Sequence, residues 1–185
     1  GDDEIFSRTQ FLEWFNLDHL GRSAAQFDDA KLRWVNAQHL KAMPDDALAM
    51  AVTPFLQQRG FTPDERLLPI CALFKDRCDT LVVLANWAAA FYGDVHASPE
   101  EFAQHVTDAV KPALGLLTER LQTVAWDKAS IAAVIKEVLA ATGLKMPQLA
   151  MPVRVLVMGT AQTPSLDAVL ALSHREIVLS RLAKA

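Results

Sequence analysis

Residues 27–42 read FDDAKLRWVNAQHLKA, and the order of side chains in that stretch fixes its secondary structure. Asp28 is a short acceptor standing where the first free backbone N–H groups of a helix need one. After it Leu32, Val35 and then His39 or Leu40 recur at the spacing of one helix face. The same punctuation continues downstream. Pro44-Asp45-Asp46 opens a helix to about Gln58 that Gly60 stops, and Thr62-Pro63-Asp64-Glu65 opens one reaching Arg77. Another runs from about Asp79 to Tyr92 and ends at Gly93, and Ser98-Pro99-Glu100-Glu101 starts the next. Asp127 caps a helix that Gly143 closes, Thr163-Pro164 opens one near the end, and Ser173-His174-Arg175-Glu176 reads as a capping box for the last. Val153–Gly159 alternates like a strand, but a lone strand has no partner to pair with. It is therefore expected as a short helix or extended loop, and the chain as all-α.

With 185 residues and 51% apolar composition the chain can bury a real core, and two compact units are expected. The turn signal at Gly93–Ala97 is the expected seam, which divides the chain into residues 1–41, 42–94 and 95–185. No apolar run approaches the roughly 18 uncharged residues of a membrane helix; Leu81–Tyr92 is the longest candidate. The start GDDEIFSRTQ is acidic and polar and lacks an initiator Met, so it reads as a piece beginning mid-protein rather than as a signal peptide. Cys71 and Cys78 are seven apart in an apolar helical stretch, where two turns separate their Cα atoms by about 10 Å, too far for a good disulfide. Two buried thiols, and with them a reducing, cytoplasmic compartment, are the expectation.

The net charge of −4 argues against generic nucleic-acid binding. The charge is uneven, however. Residues 1–41 carry −2, residues 42–94 carry −3 and residues 95–185 carry +1, while residues 140–185 alone carry +3. There is no Gly-rich phosphate loop, HExxH, GxSxG or kinase signature, so no catalytic residue and no metal site is assigned. His19, His39, His96, His105 and His174 are scattered, and the acidic pairs Asp28-Asp29 and Asp45-Asp46, like Asp2-Asp3-Glu4, sit at helix starts where they complement the dipole. Trp14 and Trp34, at helical positions among apolar neighbours, are expected in the core.

Four blocks in order change the functional reading. Phe27–Leu40 resembles the F-D-x-x-K-L-x-W-x-N signature of glutamyl- and related class I tRNA synthetases. GDDEIFS, an aromatic helix and GRSAAQFD upstream are similar to the join past that family's KMSKS-type loop. LFKDRCDTLVVL, residues 73–84, resembles its R-x-x-T-L helix. Pro152–Gly159 followed by Thr163-Pro164-Ser165-Leu166 is similar to its closing block, with Leu156-Val157-Met158 where the family has Ala or a similar residue and then Leu-Thr.

The resemblance to bacterial glutamate–tRNA ligases implies a curved helical cage of two consecutive bundles that grips the anticodon stem-loop of glutamate tRNA. Residues 1–41 would be the end of the stem-contact domain and its connector, with 42–94 and 95–185 the two anticodon-binding subdomains. It implies that Arg77 reads the third anticodon base, and that Arg154 with Thr163, Pro164 and Leu166 contacts the other two. Catalysis with ATP and Mg would lie in a part absent from this chain, and the fragment itself would hold no cofactor. Arginine suits this work because its planar fork can hydrogen-bond a base edge or stack on a base face. Lys145, Arg175, Arg181 and Lys184, from the basic end, are expected to position phosphates. The partner would be tRNA, with no membrane, no DNA and a monomeric chain. Ordinary structural roles compete at each position: Arg77 could pair with Asp76 or Asp79, and Thr163-Pro164 could be a plain helix start. An all-α protein–protein interaction module is the other functional reading, better suited to the acidic balance, and a helix-turn-helix using the last two helices is a weaker third.

Overall fold

The computed structural model describes residues 4–17 and 26–185. Asp2-Asp3, His19 and most of GRSAAQFD, on which part of the resemblance rests, lie outside the described residues. Within them every regular element is helical.

α1 (Arg8–Trp14) begins at a capping box in which Ser7 and Gln10 satisfy each other's backbone N–H groups. α2 (Asp29–Ala42) starts at Asp28, whose carboxylate accepts from the Lys31 N–H at 3.1 Å. The expectation of a core role for Trp14 and Trp34 is overturned, for they are 50% and 45% exposed. The reason is packing. α1 buries none of its residues, and α2 buries only Leu40 and docks on the short turn 75–77 and the residues just after it. Asn36 donates to the Asp79 carbonyl and Arg33 pairs with Asp79 at 3.1 Å, leaving the Trp34 side of α2 uncovered among the described residues. Trp34 lies instead beneath the Lys31 ammonium, 5.1 Å from the ring centre.

α3 (Asp45–Gln57) buries Leu48, Val52 and Leu56, four residues apart, against α4 (Leu67–Phe74) and α5 (Leu81–Ala89). α4 starts one turn later than its Thr-Pro-Asp-Glu signal predicts. The Asp64 carboxylate accepts from the Arg66 side chain at 2.8 Å, from the Arg66 backbone N–H at 3.1 Å and from the Tyr92 hydroxyl at 3.0 Å, and the helix begins only at Leu67. A 3₁₀ turn, Lys75–Arg77, follows α4, and Thr80 caps α5. Cys78 therefore lies beyond the helix that holds Cys71, and its thiol bonds the Phe74 carbonyl; both cysteines are buried and free.

The second half comprises α6 (Pro99–His105), α7 (Lys111–Leu121), α8 (Lys128–Thr142), α9 (Met146–Met158), α10 (Leu166–Leu172) and α11 (Arg175–Leu182). α9 packs on α6, α7 and α11, and α8 on α7 and α10. Val153–Met158 continues α9 without a break. Val153, Val155, Leu156, Val157 and Met158 are all buried, with only Arg154 interrupting the run, so the sequence of the last turns of α9 loses the helical period. Two helix starts also move. Thr163 and Ser173 do not cap: their hydroxyls donate to the carbonyls of Pro164 and Val169, and Ser165 and His174 occupy the cap positions.

The buried side chains from Leu40 to Leu182 form one continuous cluster. Across residues 93–97, α4 meets α10, and the Arg66 guanidinium donates to the Leu172 carbonyl at 3.3 Å.

Candidate functional site

Arg77 stands at the end of the 3₁₀ turn that closes α4, exposed and without a hydrogen bond or ion pair among the described residues. Of the two competing partners, Asp79 is held by Arg33 and its carbonyl by Asn36, and Asp76 makes no ion pair among the described residues. Arg154 projects from the middle of α9, half-buried, and donates from Nη2 to the Pro164 carbonyl at 3.2 Å. Its Nε is buried and has no partner. Burial, and then the like charge of Arg77, hold the Arg154 guanidinium below its ordinary range. The Arg77 charge thus acts on a residue 77 positions away in the chain, and neither arginine has a carboxylate within ion-pair distance among the described residues.

Arg154 also lines a cleft of about 360 Å³ between α8, the start of α9 and α10, with Lys136, Met146, Ser165, Leu166 and Asp167. Pro164 and Leu166 are buried, Leu166 being 4% exposed as the first residue of α10. Thr163 is 5% exposed, and its hydroxyl is spent on the Pro164 carbonyl, which therefore accepts from both Thr163 and Arg154. The Thr163 hydroxyl, at a position expected to contact a base, is thus committed within the loop. What the corner exposes is Ser165, between buried Pro164 and Leu166 and next to the Arg154 guanidinium.

The loop that precedes this corner is held from α6. Glu101 Oε1 accepts from the Thr160 hydroxyl at 3.1 Å and from the Ala161 N–H at 3.0 Å. Sequence reasoning treats Glu101 only as a first-turn acid, and no local signal reveals partners some 60 residues away. Lys136 in the cleft wall is likewise missed, because an exposed lysine on α8 looks like any solvated one.

The four phosphate-positioning candidates separate. Lys145 is exposed at the cap position of α9, next to Met146 of the cleft. Lys184 is exposed but lines a different cleft of about 500 Å³ at the seam, with Arg66, Tyr92, Asp94 and His174. Arg175 and Arg181 are corrected. Arg175 spends its Nη atoms on the carbonyls of Gln122 and Val124 and lies 5.1 Å from the Trp126 ring, which itself donates to the Ser173 carbonyl. Arg181 is 6% exposed and bonded to three main-chain carbonyls. Both guanidiniums hold helices together, which a positive count along the sequence cannot distinguish from surface charge.

Known proteins bear on this arrangement. A family model described as the anticodon binding domain matches residues 47–185. The chain is 74% identical over 182 residues to a glutamate–tRNA ligase of Albidiferax ferrireducens and 69% identical over 186 residues to one of Paracidovorax citrulli. Each match covers 98% of this chain, which spans only 39% of either relative's length. Among solved structures, a glutamate tRNA ligase from Elizabethkingia meningosepticum superposes with a TM-score of 0.88 at 23% identity, over 98% of this chain and 37% of that one. A glutamate–tRNA synthetase from Elizabethkingia anophelis gives 0.83 at 23%, over 98% and 36%. No helix among the described residues is long and apolar enough to cross a membrane. With Arg77, Arg154 and the corner at Pro164 all inside the matched residues, the chain belongs to the anticodon binding domain family.

Proposed function

We propose that this chain binds the anticodon stem-loop of glutamate tRNA as part of a longer cytoplasmic ligase that joins glutamate to that tRNA, with ATP and magnesium handled by the rest of the protein. The observation that carries the reading is the pair Arg77 and Arg154. A guanidinium with a buried, unpaired N–H and no carboxylate within ion-pair distance among the described residues, as at Arg154, is destabilising for the fold alone. A polyanion with splayed bases supplies what the pair lacks: phosphate charge for both guanidiniums and base edges or faces for their planar forks.

In this reading Arg77 selects one base from the first half, and Arg154 and the Pro164-Leu166 corner select the others. Lys145 and Lys136 face phosphate, and the chain works as a monomer. The relatives named as glutamate–tRNA ligases support the substrate class. A chemical-shift or crosslinking map with an anticodon stem-loop tests it. Perturbation is expected at Arg77, Arg154 and residues 163–166, and perturbation confined to residues 1–41 would overturn the assignment. Binding should weaken steeply with salt, since phosphate neutralisation releases counterions.

A further inference from the structure

We propose that Arg181 is a positioning residue whose buried guanidinium ties the ends of α5 and α9 to α11 and so sets the separation of Arg77 from Arg154. Arg181 Nη1 donates to the Ala90 carbonyl at 2.9 Å and to the Val157 carbonyl at 2.6 Å, and Nη2 to the Gly93 carbonyl at 2.6 Å. Ala90 is the C-cap of α5, Gly93 lies three residues beyond it, and Val157 is in the last turn of α9. The Ala90 and Val157 carbonyls are ones that a helix leaves without internal partners and that carry the negative end of its dipole. One cation therefore serves the C-terminal ends of two helices. Among the described residues no carboxylate lies within ion-pair distance of it; Asp94, in the same seam cleft, is the acid whose charge acts on it.

Burying a full charge to meet three neutral acceptors is an expensive way to hold a core together. What a guanidinium offers, and an apolar side chain does not, is a rigid planar fork that fixes three backbone atoms relative to one another. Those atoms belong to both halves of the chain. α5 runs from the gripped end back to Thr80, about 15 Å away at 1.5 Å per residue, and Arg77 stands three residues before it. Arg154 is one turn from Val157 on α9. A rotation of a few degrees at the grip therefore displaces Arg77 from Arg154 by about 1 Å. The seam around the grip is close-packed: a Cβ added to Gly159 would come within 3.1 Å of the His96 carbonyl oxygen.

The importance of this spacing for tRNA rests on the RNA-binding reading, whereas the grip itself does not, so the experiment has two arms. Spin labels on Met50→Cys of α3 and Glu137→Cys of α8, both exposed, report the distance between the halves in the full-length protein; buried Cys71 and Cys78 stay unlabelled. Arg181→Met is expected to shift or broaden that distance by about 1–2 Å. In the same variant the KM for tRNA should rise about tenfold with kcat unchanged, and Arg77→Ala should lose much of its effect. Should Arg181→Met fail to fold, Arg181→Lys carries the same readouts. An unchanged distance overturns the grip, and a changed distance with unchanged KM overturns the positioning role. If Arg77→Ala and Arg154→Ala alone leave tRNA KM unchanged, the RNA reading fails while the distance still judges the grip.

Discussion

Arg154 answers to two opposed demands: its Nη2 pins the Pro164 corner, while its buried Nε and the neighbouring Arg77 make the charge unwelcome. Replacing it with an apolar chain of similar length removes one hydrogen bond and one desolvated charge together. Arg154→Met is therefore expected to leave the unfolding free energy within about 1 kcal/mol of the parent while weakening RNA binding. Denaturant titration alongside a binding assay checks this; a loss of stability matching the loss of binding would make Arg154 a purely structural residue. Glu101 behaves oppositely. Its two bonds to Thr160 and Ala161 hold the loop before the corner, so Glu101→Ala should cost about 2 kcal/mol of stability, read as a lowered urea midpoint. At this scale the sequence supports Arg77 and Arg154 only through the ordered family blocks. Glu101, Arg175 and Arg181 stay illegible because their partners, backbone groups apart from the Thr160 hydroxyl, lie about 25 to 90 positions away in the chain.

Among elements, α9 explains which parts of the fold can be read from the sequence. Helices with one wet face, such as α2, α3 and α8, announce themselves by Asp28, Asp45 and Asp127 and by a regular apolar stripe. α9 is buried along Val153–Met158, so its pattern resembles a strand. The placement of Trp14 and Trp34 fails for the complementary reason: amphipathic spacing says which side of a helix is apolar, not whether anything covers it. Gly159 ends α9 at φ +76°, beneath the His96 carbonyl, whereas Gly143 ends α8 at φ +69° with open space around it. Gly143→Ala should cost about 1 kcal/mol, the strain of a left-handed alanine, and Gly159→Ala distinctly more because the linker over it must also shift. Thermal unfolding of the two variants ranks them, and equal losses would mean that the linker yields freely.

For the molecule as a whole, alkali is the weak direction. Burial, and then Asp45, push the Cys71 thiol up to about 11; burial, Asp79 and Cys71 push Cys78 up to about 12; burial and the bond to Asp64 push Tyr92 up to about 12. Each group keeps its proton in the fold at pH values where the unfolded chain, near 9 for the thiols and 10 for the tyrosine, has lost it. Their contribution is complete below about pH 9 and is lost as pH climbs toward 11–12. Urea midpoints should fall from pH 8 to pH 10, and a Cys71→Ala/Cys78→Ala variant should fall less steeply over the same range; parallel slopes would contradict the assignment. At the acid end burial pushes the Asp64 carboxyl up, but the bonds from Arg66 and Tyr92 outweigh it, so its contribution is lost as pH drops below the usual carboxylate range.

In the proposed function Arg77 and Arg154, from the two halves of the chain, read RNA bases together. The direct measurement is charging of glutamate tRNA and its single-base anticodon variants by the full-length protein, with Arg77→Ala and Arg154→Ala beside the parent. Each substitution should cost about 1–3 kcal/mol on the cognate tRNA and flatten the preference at its own anticodon position, leaving the others intact. Equal losses across every anticodon variant would reduce both arginines to phosphate contacts, and unchanged charging would remove them from the interface.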